Sequence, residues 1–469
     1  MREDGARARG DANTRVAGTR KLFGTDGVRG VANVEPITCE TVLRLGRAVA
    51  HYCQRAGTPR PRIVVGRDTR VSGDMLERAL TAGICSAGGD ARLAGILPTP
   101  AVAYLTRTLQ ASAGAVVSAS HNPFQDNGIK FFDASGFKLP DDAEQDIERW
   151  VLDGGAPGLA APPEALGTAR GIDAAAARYI DFLKTLLPDG LMLTGMRVVI
   201  DCAHGAAYRV GPELFRLLGA DVVSIGVAPD GVNINRDAGA THPQQLQEMV
   251  RSERAQLGVA LDGDADRLIV VDEHGEVVDG DEVLAIAAVD MLARGTLKQA
   301  TVVATVMSNL GLEVALREHG ARLVRVQVGD RYVVGEMRRH GYNLGGEQSG
   351  HLVFLDHSTT GDGLLAALQV VRLMVERQRP LSELKRAMTR FPQVLLNVPV
   401  NARRDLDAVE PVRQTVARIR AALDDRGRAL VRYSGTEPLV RVMVEGEDGD
   451  TVRAYAEEIA AVIRGELAR

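Results

Sequence analysis

Three apolar runs in this chain end in the same way. RPRIVVGRDTR from Arg60, MRVVIDCAHG from Met196 and TVVATVMSN from Thr301 each pass from β-branched residues directly into a polar loop. Between them lie segments of helical period, including CETVLRLGRAVAHYCQRAG, DMLERALTAGICSAG and DEVLAIAAVDMLARG. Short unbroken apolar runs suit strands covered on both faces, and the intervening helices are the crossovers that parallel strands require. The alternation predicts an α/β protein built of three similar units with mixed, largely parallel sheets.

From about residue 389 the pattern changes. QVLLNVPV, RALVRYSG and LVRVMVEG read as strands, and AVEPVRQTVARIRAAL and TVRAYAEEIAAVIRGEL as helices. This order predicts a small α+β domain with an antiparallel sheet. A chain of 469 residues exceeds one core. The expected division is a disordered tail (1–20), then domains at 21–170, 171–276, 277–388 and 389–469, arranged around a central cleft. A Gly-, Ala- and Pro-rich linker is expected at about 152–170.

A net charge of -5 argues against nucleic acid or an anionic membrane as partner. No apolar run approaches the roughly 18–20 residues that span a bilayer. Cys39, Cys53, Cys85 and Cys202 are scattered without a CxxC pair, as expected of reduced thiols in a cytoplasmic protein.

The chemistry-bearing residues gather in four loops. In LDGDADR, Asp262, Asp264 and Asp266 recur at spacing two after an apolar strand, so an extended backbone would align their carboxylates for Mg²⁺. An EF-hand is excluded because its sixth position would be Arg267 instead of glycine, with a strand following. VSASHNPFQDNGIK presents Ser120 at a strand end as a nucleophile, a phosphate anchor or a cap. His121 beside it would point away on an extended chain, and no GxSxG elbow occurs, so acyl hydrolysis is disfavoured. A serine that carries a phosphoryl group next to a metal fits better.

RYSGTEPLVR offers Arg432, Ser434, Gly435, Thr436 and Arg441 as a phosphate-binding turn, although Ser-Gly-Thr is also common turn chemistry. GGEQSGH places Glu347 and Ser349 where they could grip sugar hydroxyls, with His351 as phosphate ligand, acid/base or structural residue. Nucleotide-binding glycine motifs are absent.

The ordered set FGTDGVRG, GRDTR, SASHNP, DGDADR, VGDRYV, GEQSGH and SGTEP resembles the α-D-phosphohexomutase family from about Lys21 to the C-terminus. The resemblance implies four domains around the cleft, each contributing one loop. It also implies Ser120 as phosphoserine, with Ser120, Asp262, Asp264 and Asp266 around one Mg²⁺. Arg29, Lys130, Arg267 and His351 would serve catalysis, Lys130 as an acid/base candidate. Glu347 and Ser349 would contact the sugar, and the RYSGTEPLVR residues would hold the non-reacting phosphate. The small-molecule partner would be a sugar phosphate, favoured as an amino sugar by FGTDGVRG and GEQSGH, with a sugar 1,6-bisphosphate as intermediate and activator. A homodimer is a further expectation.

Three residues depart from the family pattern: Ala265 for glycine, His204 for asparagine, and Tyr433 for proline or lysine. The rival readings are a mutase for mannose or glucose phosphates, a metal-dependent sugar phosphatase, and a silent sugar-phosphate binder.

Overall fold

The computed structural model describes residues 22–24, 26–152, 156–401, 403–434 and 438–467. The expected tail, 1–20, lies outside them. The first sheet has six strands in the order Val28–Val31, Asp126–Asp133, Ala113–Val117, Arg62–Arg67, Asp90–Ile96 and Ala169–Gly171. Arg62–Arg67 runs parallel to both neighbours, and the strands Asp126–Asp133 and Val28–Val31 are added antiparallel. The strand Ala169–Gly171 pairs with Ala91–Leu93. The expected linker thus returns to the first sheet, and the border drawn at 170/171 passes through an edge strand.

The second sheet orders Val277–Val278, Leu268–Asp272, Leu257–Leu261, Arg197–Asp201 and Asp221–Ile225. The third orders Arg322–Val326, Thr301–Thr305, Leu344–Gly346 and Leu352–Phe354. Both combine parallel central pairs with an antiparallel edge. The last sheet, Gln393–Pro399, Leu439–Gly446 and Gly427–Tyr433, is antiparallel throughout.

One apolar core runs through the first three units, joining Val64 and Phe132 to Leu214, Leu257, Leu312 and Leu365. Burial on both faces explains why these strands read as unbroken apolar runs. The C-terminal unit has its own core, formed by Val398, Ile419, Val442 and Ile459 among others. Polar contacts help attach it: the Asn309 Nδ2 donates to the Phe391 carbonyl at 2.9 Å, and Arg428 donates to the Ser308 carbonyl at 3.0 Å. Each candidate loop begins where a strand ends: after Val117, Leu261, Gly346 and Tyr433.

Candidate active site

The serine loop is bent, not extended. Past Val117, the Ser118 hydroxyl donates to Asp68 Oδ2 at 2.5 Å and accepts the Ser120 N–H at 3.0 Å. Ser120 adopts φ 54, a left-handed backbone that non-glycine residues take up only when their surroundings impose it. Its hydroxyl, 1% exposed as a residue, donates to Asp262 Oδ2 at 2.6 Å. The bend also corrects the expectation for His121, whose Nδ1 comes within 3.4 Å of Ser120 Oγ. Burial, with Arg267 and Arg29 adding repulsion, lowers the imidazole pKa to about 4. His121 is therefore a neutral, weak base, and the hydroxyl points its proton at Asp262.

Convergence of the three aspartates also has a different cause from the one expected. The strand ends at Leu261, and the Ala265 N–H donates to the Asp262 carbonyl at 3.0 Å, closing a turn. Ala265 has φ 55, so it occupies the left-handed region that glycine fills most cheaply. Within this turn the Asp262, Asp264 and Asp266 carboxylates each present an oxygen within 4.8 Å of the others, all buried. Thr99, from the first domain, donates its hydroxyl to Asp264 Oδ2 at 2.6 Å and its N–H to the Asp264 carbonyl at 2.9 Å.

Oδ1 of Asp264 and Oδ1 of Asp266 are buried without a hydrogen-bond partner. Burial, with the charges of Asp266 and Asp264 adding to it, drives the Asp262 pKa well up. Clustered hard oxygens, two of them orphaned, fit a divalent cation such as Mg²⁺.

Cations pack round this cluster. Lys130 Nζ lies 3.1 Å from Asp26, 2.9 Å from Asp264 and 3.2 Å from Asp266. Burial works against its charge, but these three carboxylates hold its pKa well above that of an ordinary lysine. Asp26 also pairs with Arg29 and Lys138. Burial favours its neutral form, yet Lys130, Lys138 and Arg29 together pull its pKa well down.

Lys138 reaches Asp330 at 2.5 Å. Arg29 donates to the Ala119 carbonyl at 3.5 Å, and Arg267 Nε stands 3.9 Å from Asp266 Oδ1. His351 is 3% exposed, and its Nε2 accepts the Gly361 N–H at 3.1 Å. That bond leaves the ring proton on Nδ1, which faces Asp266 at 3.7 Å. In spite of burial, the carboxylates of Asp266, Asp330 and Glu347 raise its pKa. His351 thus stands between Asp266 and Asp330, with its Nε2 3.4 Å from Asp330 Oδ2.

In the GGEQSGH loop, Glu347 Oε1 accepts the Gly329 N–H at 3.0 Å, which ties it to the VGDRYV segment, and Ser349 is exposed. Arg432 and Arg441 stand opposite each other on paired strands. Burial and the charge of Arg441 lower the Arg432 pKa, and Arg432 Nε is buried without a partner. Such a like-charged pair is relieved by an anion between the two. Ser434 is buried, and its carbonyl accepts from Arg403 at 2.6 Å. Gly435 and Thr436 lie outside the described residues. Tyr433 anchors the base of this loop, its hydroxyl donating to the Arg404 carbonyl at 2.7 Å. His204 adopts φ 50, which explains the expectation of asparagine there.

Asp26, Asp68, Arg70, Thr99, Asn235 and Asp330 also build the site, and motif reading assigned none of them a role. Asp26, Asp68, Arg70 and Asp330 were in view within FGTDGVRG, GRDTR and VGDRYV. Thr99 and Asn235 carry no local signal, since their partners come from another domain.

A buried hydroxyl, three convergent carboxylates and a ring of cations on a four-domain α/β scaffold make a site suited to a divalent cation and to phosphoryl groups. The sequence agrees. Residues 20–155, 177–275 and 279–391 match the families described as phosphoglucomutase/phosphomannomutase alpha/beta/alpha domains I, II and III. Residues 395–462 match the phosphoglucomutase/phosphomannomutase C-terminal domain. The chain belongs to this family, the α-D-phosphohexomutases.

A phosphoglucosamine mutase of Anaeromyxobacter dehalogenans is 56% identical over 453 residues, covering 95% of this chain and 99% of the relative. That of Sorangium cellulosum is 53% identical, covering 100% and 97%. Among solved structures, a phosphoglucomutase/phosphomannomutase family protein of Burkholderia thailandensis superposes with a TM-score of 0.78 at 23% identity, covering 95% of this chain and 99% of that one. The N-acetylphosphoglucosamine mutase of Aspergillus fumigatus, in complex with GlcNAc-6P and magnesium, superposes at 0.66 and 17% identity, covering 95% and 96%. These two likenesses are of fold.

Proposed function

We propose that this chain is an isomerase that interconverts glucosamine 6-phosphate and glucosamine 1-phosphate through phosphorylated Ser120. The observation that carries the reading is the Ser120 hydroxyl held 2.6 Å from Asp262 of the carboxylate cluster, with Arg29 reaching the neighbouring Ala119 carbonyl and Arg267 standing by Asp266. The amino sugar is favoured by the full-length relatives at 53–56% identity named phosphoglucosamine mutase.

The sugar O1 attacks the phosphoserine phosphorus and gives up its proton to a base, the P–Oγ bond breaks, and Oγ takes up a proton. The resulting 1,6-bisphosphate turns over within the cleft. Ser120 Oγ then attacks the 6-phosphorus and gives up its proton, the P–O6 bond breaks, and O6 takes up a proton, leaving glucosamine 1-phosphate. Lys130 is the acid/base candidate that the family likeness suggests, and its ammonium, set among three carboxylates, offsets developing negative charge. Arg29 and Arg267 flank the transferring group. Arg432, Arg441 and Ser434, with Gly435 and Thr436, hold the distal phosphate, and Glu347 and Ser349 grip the sugar. Asp262, Asp264 and Asp266 would hold a divalent cation such as Mg²⁺, which would supply charge neutralisation during transfer. A sugar 1,6-bisphosphate restores the phosphoserine when it is lost. Four free cysteines suit a reducing compartment, which favours the cytoplasm.

The test is a mutase assay of phosphorylated protein with Mg²⁺ and the 6-phosphates of glucosamine, glucose and mannose, with Ser120→Ala alongside. Preference for glucosamine, abolished by Ser120→Ala, is expected. A lead for mannose or glucose would overturn the substrate, and phosphate release without isomerisation would make the protein a phosphatase. Full activity in Ser120→Ala would overturn the mechanism.

A further inference from the structure

The strained carbonyl of Ser120 accepts two hydrogen bonds, one from each of two domains. Arg70, fully buried, donates to it at 2.9 Å and also to the carbonyls of Asn122 and Asp126 at 2.8 and 2.9 Å. Its own charge is met by Asp68 at 2.8 Å. The second donor is Asn235, from the second domain, whose Nδ2 reaches the Ser120 carbonyl at 2.8 Å and the Asn122 carbonyl at 3.0 Å. Two carbonyl acceptors leave only the nitrogen orientation of this amide workable.

The same amide abuts the metal loop. A Cβ at Gly263 would lie 2.8 Å from Asn235 Nδ2 and 2.5 Å from the Ser120 carbonyl oxygen. Asn235 itself has φ 58, and its N–H donates to the Ala203 carbonyl at 2.9 Å within the second domain.

We infer that Asn235 is a positioning residue that sets the spacing between the serine loop of the first domain and the carboxylate loop of the second. The inference rests on Ser120 being the phosphoryl carrier. Its physical basis is the division of the reacting groups: the hydroxyl belongs to one domain and the three carboxylates to another. Thr99 and Lys130 tie the first domain to Asp264 and Asp266, whereas Asn235 is the second-domain side chain that grips the Ser120 peptide itself. An error of about 1 Å in such a spacing can cost roughly a hundredfold in rate. Asn235 acts through the Ser120 and Asn122 peptides and touches no reacting atom.

The test compares phosphorylated wild-type enzyme with Asn235→Gly and Asn235→Asp. Glycine accepts φ 58 without strain and removes only the side chain. Aspartate keeps the shape but turns an acceptor toward two carbonyls. The expected result for Asn235→Gly is a kcat lowered about 10- to 100-fold, with KM for glucosamine 6-phosphate within about threefold of wild type. The phosphoserine ³¹P resonance should shift or broaden, thermal unfolding should change little, and Asn235→Asp should be slower still.

A kcat within twofold of wild type in Asn235→Gly would overturn the inference, as would a loss confined to KM. An inactive wild type would sink the reading of Ser120 first. An active wild type beside an equally active Asn235→Gly would sink this inference alone.

Discussion

Replacing Lys130 by methionine removes one buried charge and leaves the volume nearly unchanged. Its ammonium lies 2.9, 3.1 and 3.2 Å from three carboxylates. At an effective dielectric of about 20, each contact is worth roughly 5 kcal/mol of gross attraction, about 16 in all. Most of that offsets the desolvation of the ammonium and of Asp26, Asp264 and Asp266, each several kcal/mol. What remains on deletion is the cost of stranding buried carboxylates, about 3–5 kcal/mol. Because one apolar core runs through three domains beside their separate clusters, this is a drop in melting temperature on the order of 5–10 °C.

Mg²⁺ should restore much of it. At one hundred times its dissociation constant a ligand stabilises by about 2.7 kcal/mol. The increment should be larger in Lys130→Met, because the ammonium no longer competes for Asp264 and Asp266. Differential scanning calorimetry of wild type and variant, with EDTA and with Mg²⁺, reads both quantities. A variant as stable as wild type in EDTA, or one stabilised less than wild type by Mg²⁺, would refute the electrostatic account of Lys130.

Gly263→Ala should lower kcat at least tenfold and destabilise the protein by about 1–3 kcal/mol, since the new Cβ would sit 2.5 Å from the Ser120 carbonyl oxygen; steady-state kinetics and urea unfolding check this. Arg432→Gln should raise KM for the sugar phosphate about tenfold. It should leave unliganded stability unchanged or improved by up to about 1 kcal/mol, because a like-charged cross-strand pair is relieved. His121 should titrate at about 4 by NMR. With its folded pKa depressed, its contribution to stability is complete above about 6.5 and is lost as pH falls toward about 4. Asp262, held well above the usual carboxylate pKa, should release its proton when Mg²⁺ binds, so apparent metal affinity should rise with pH in isothermal titrations.

The α/β alternation, the change to an antiparallel unit near residue 389 and the four loops could be read from sequence because each rests on local information. Apolar period reports which faces are buried, and glycine, proline and polar clusters report where strands stop. QVLLNVPV, RALVRYSG and LVRVMVEG became the three strands of the last sheet for that reason. Ser120 and the three aspartates were likewise visible, as residue types placed at strand ends.

The backbone bends that bring them together were not visible. Extended geometry would have aligned the aspartates and separated Ser120 from His121, whereas left-handed turns at Ala265 and Ser120 do the converging. Those turns are held by groups remote in sequence: Asn235 grips a carbonyl 115 residues away, and Lys130 meets Asp264 across 134. Hydrophobic period is a property of neighbours along the chain, so the sequence alone determines which segments become strands and helices. Strain and ion pairing depend on which domains press together, and tertiary packing alone decides that Ser120 faces Asp262 and that Lys130 is a buried cation.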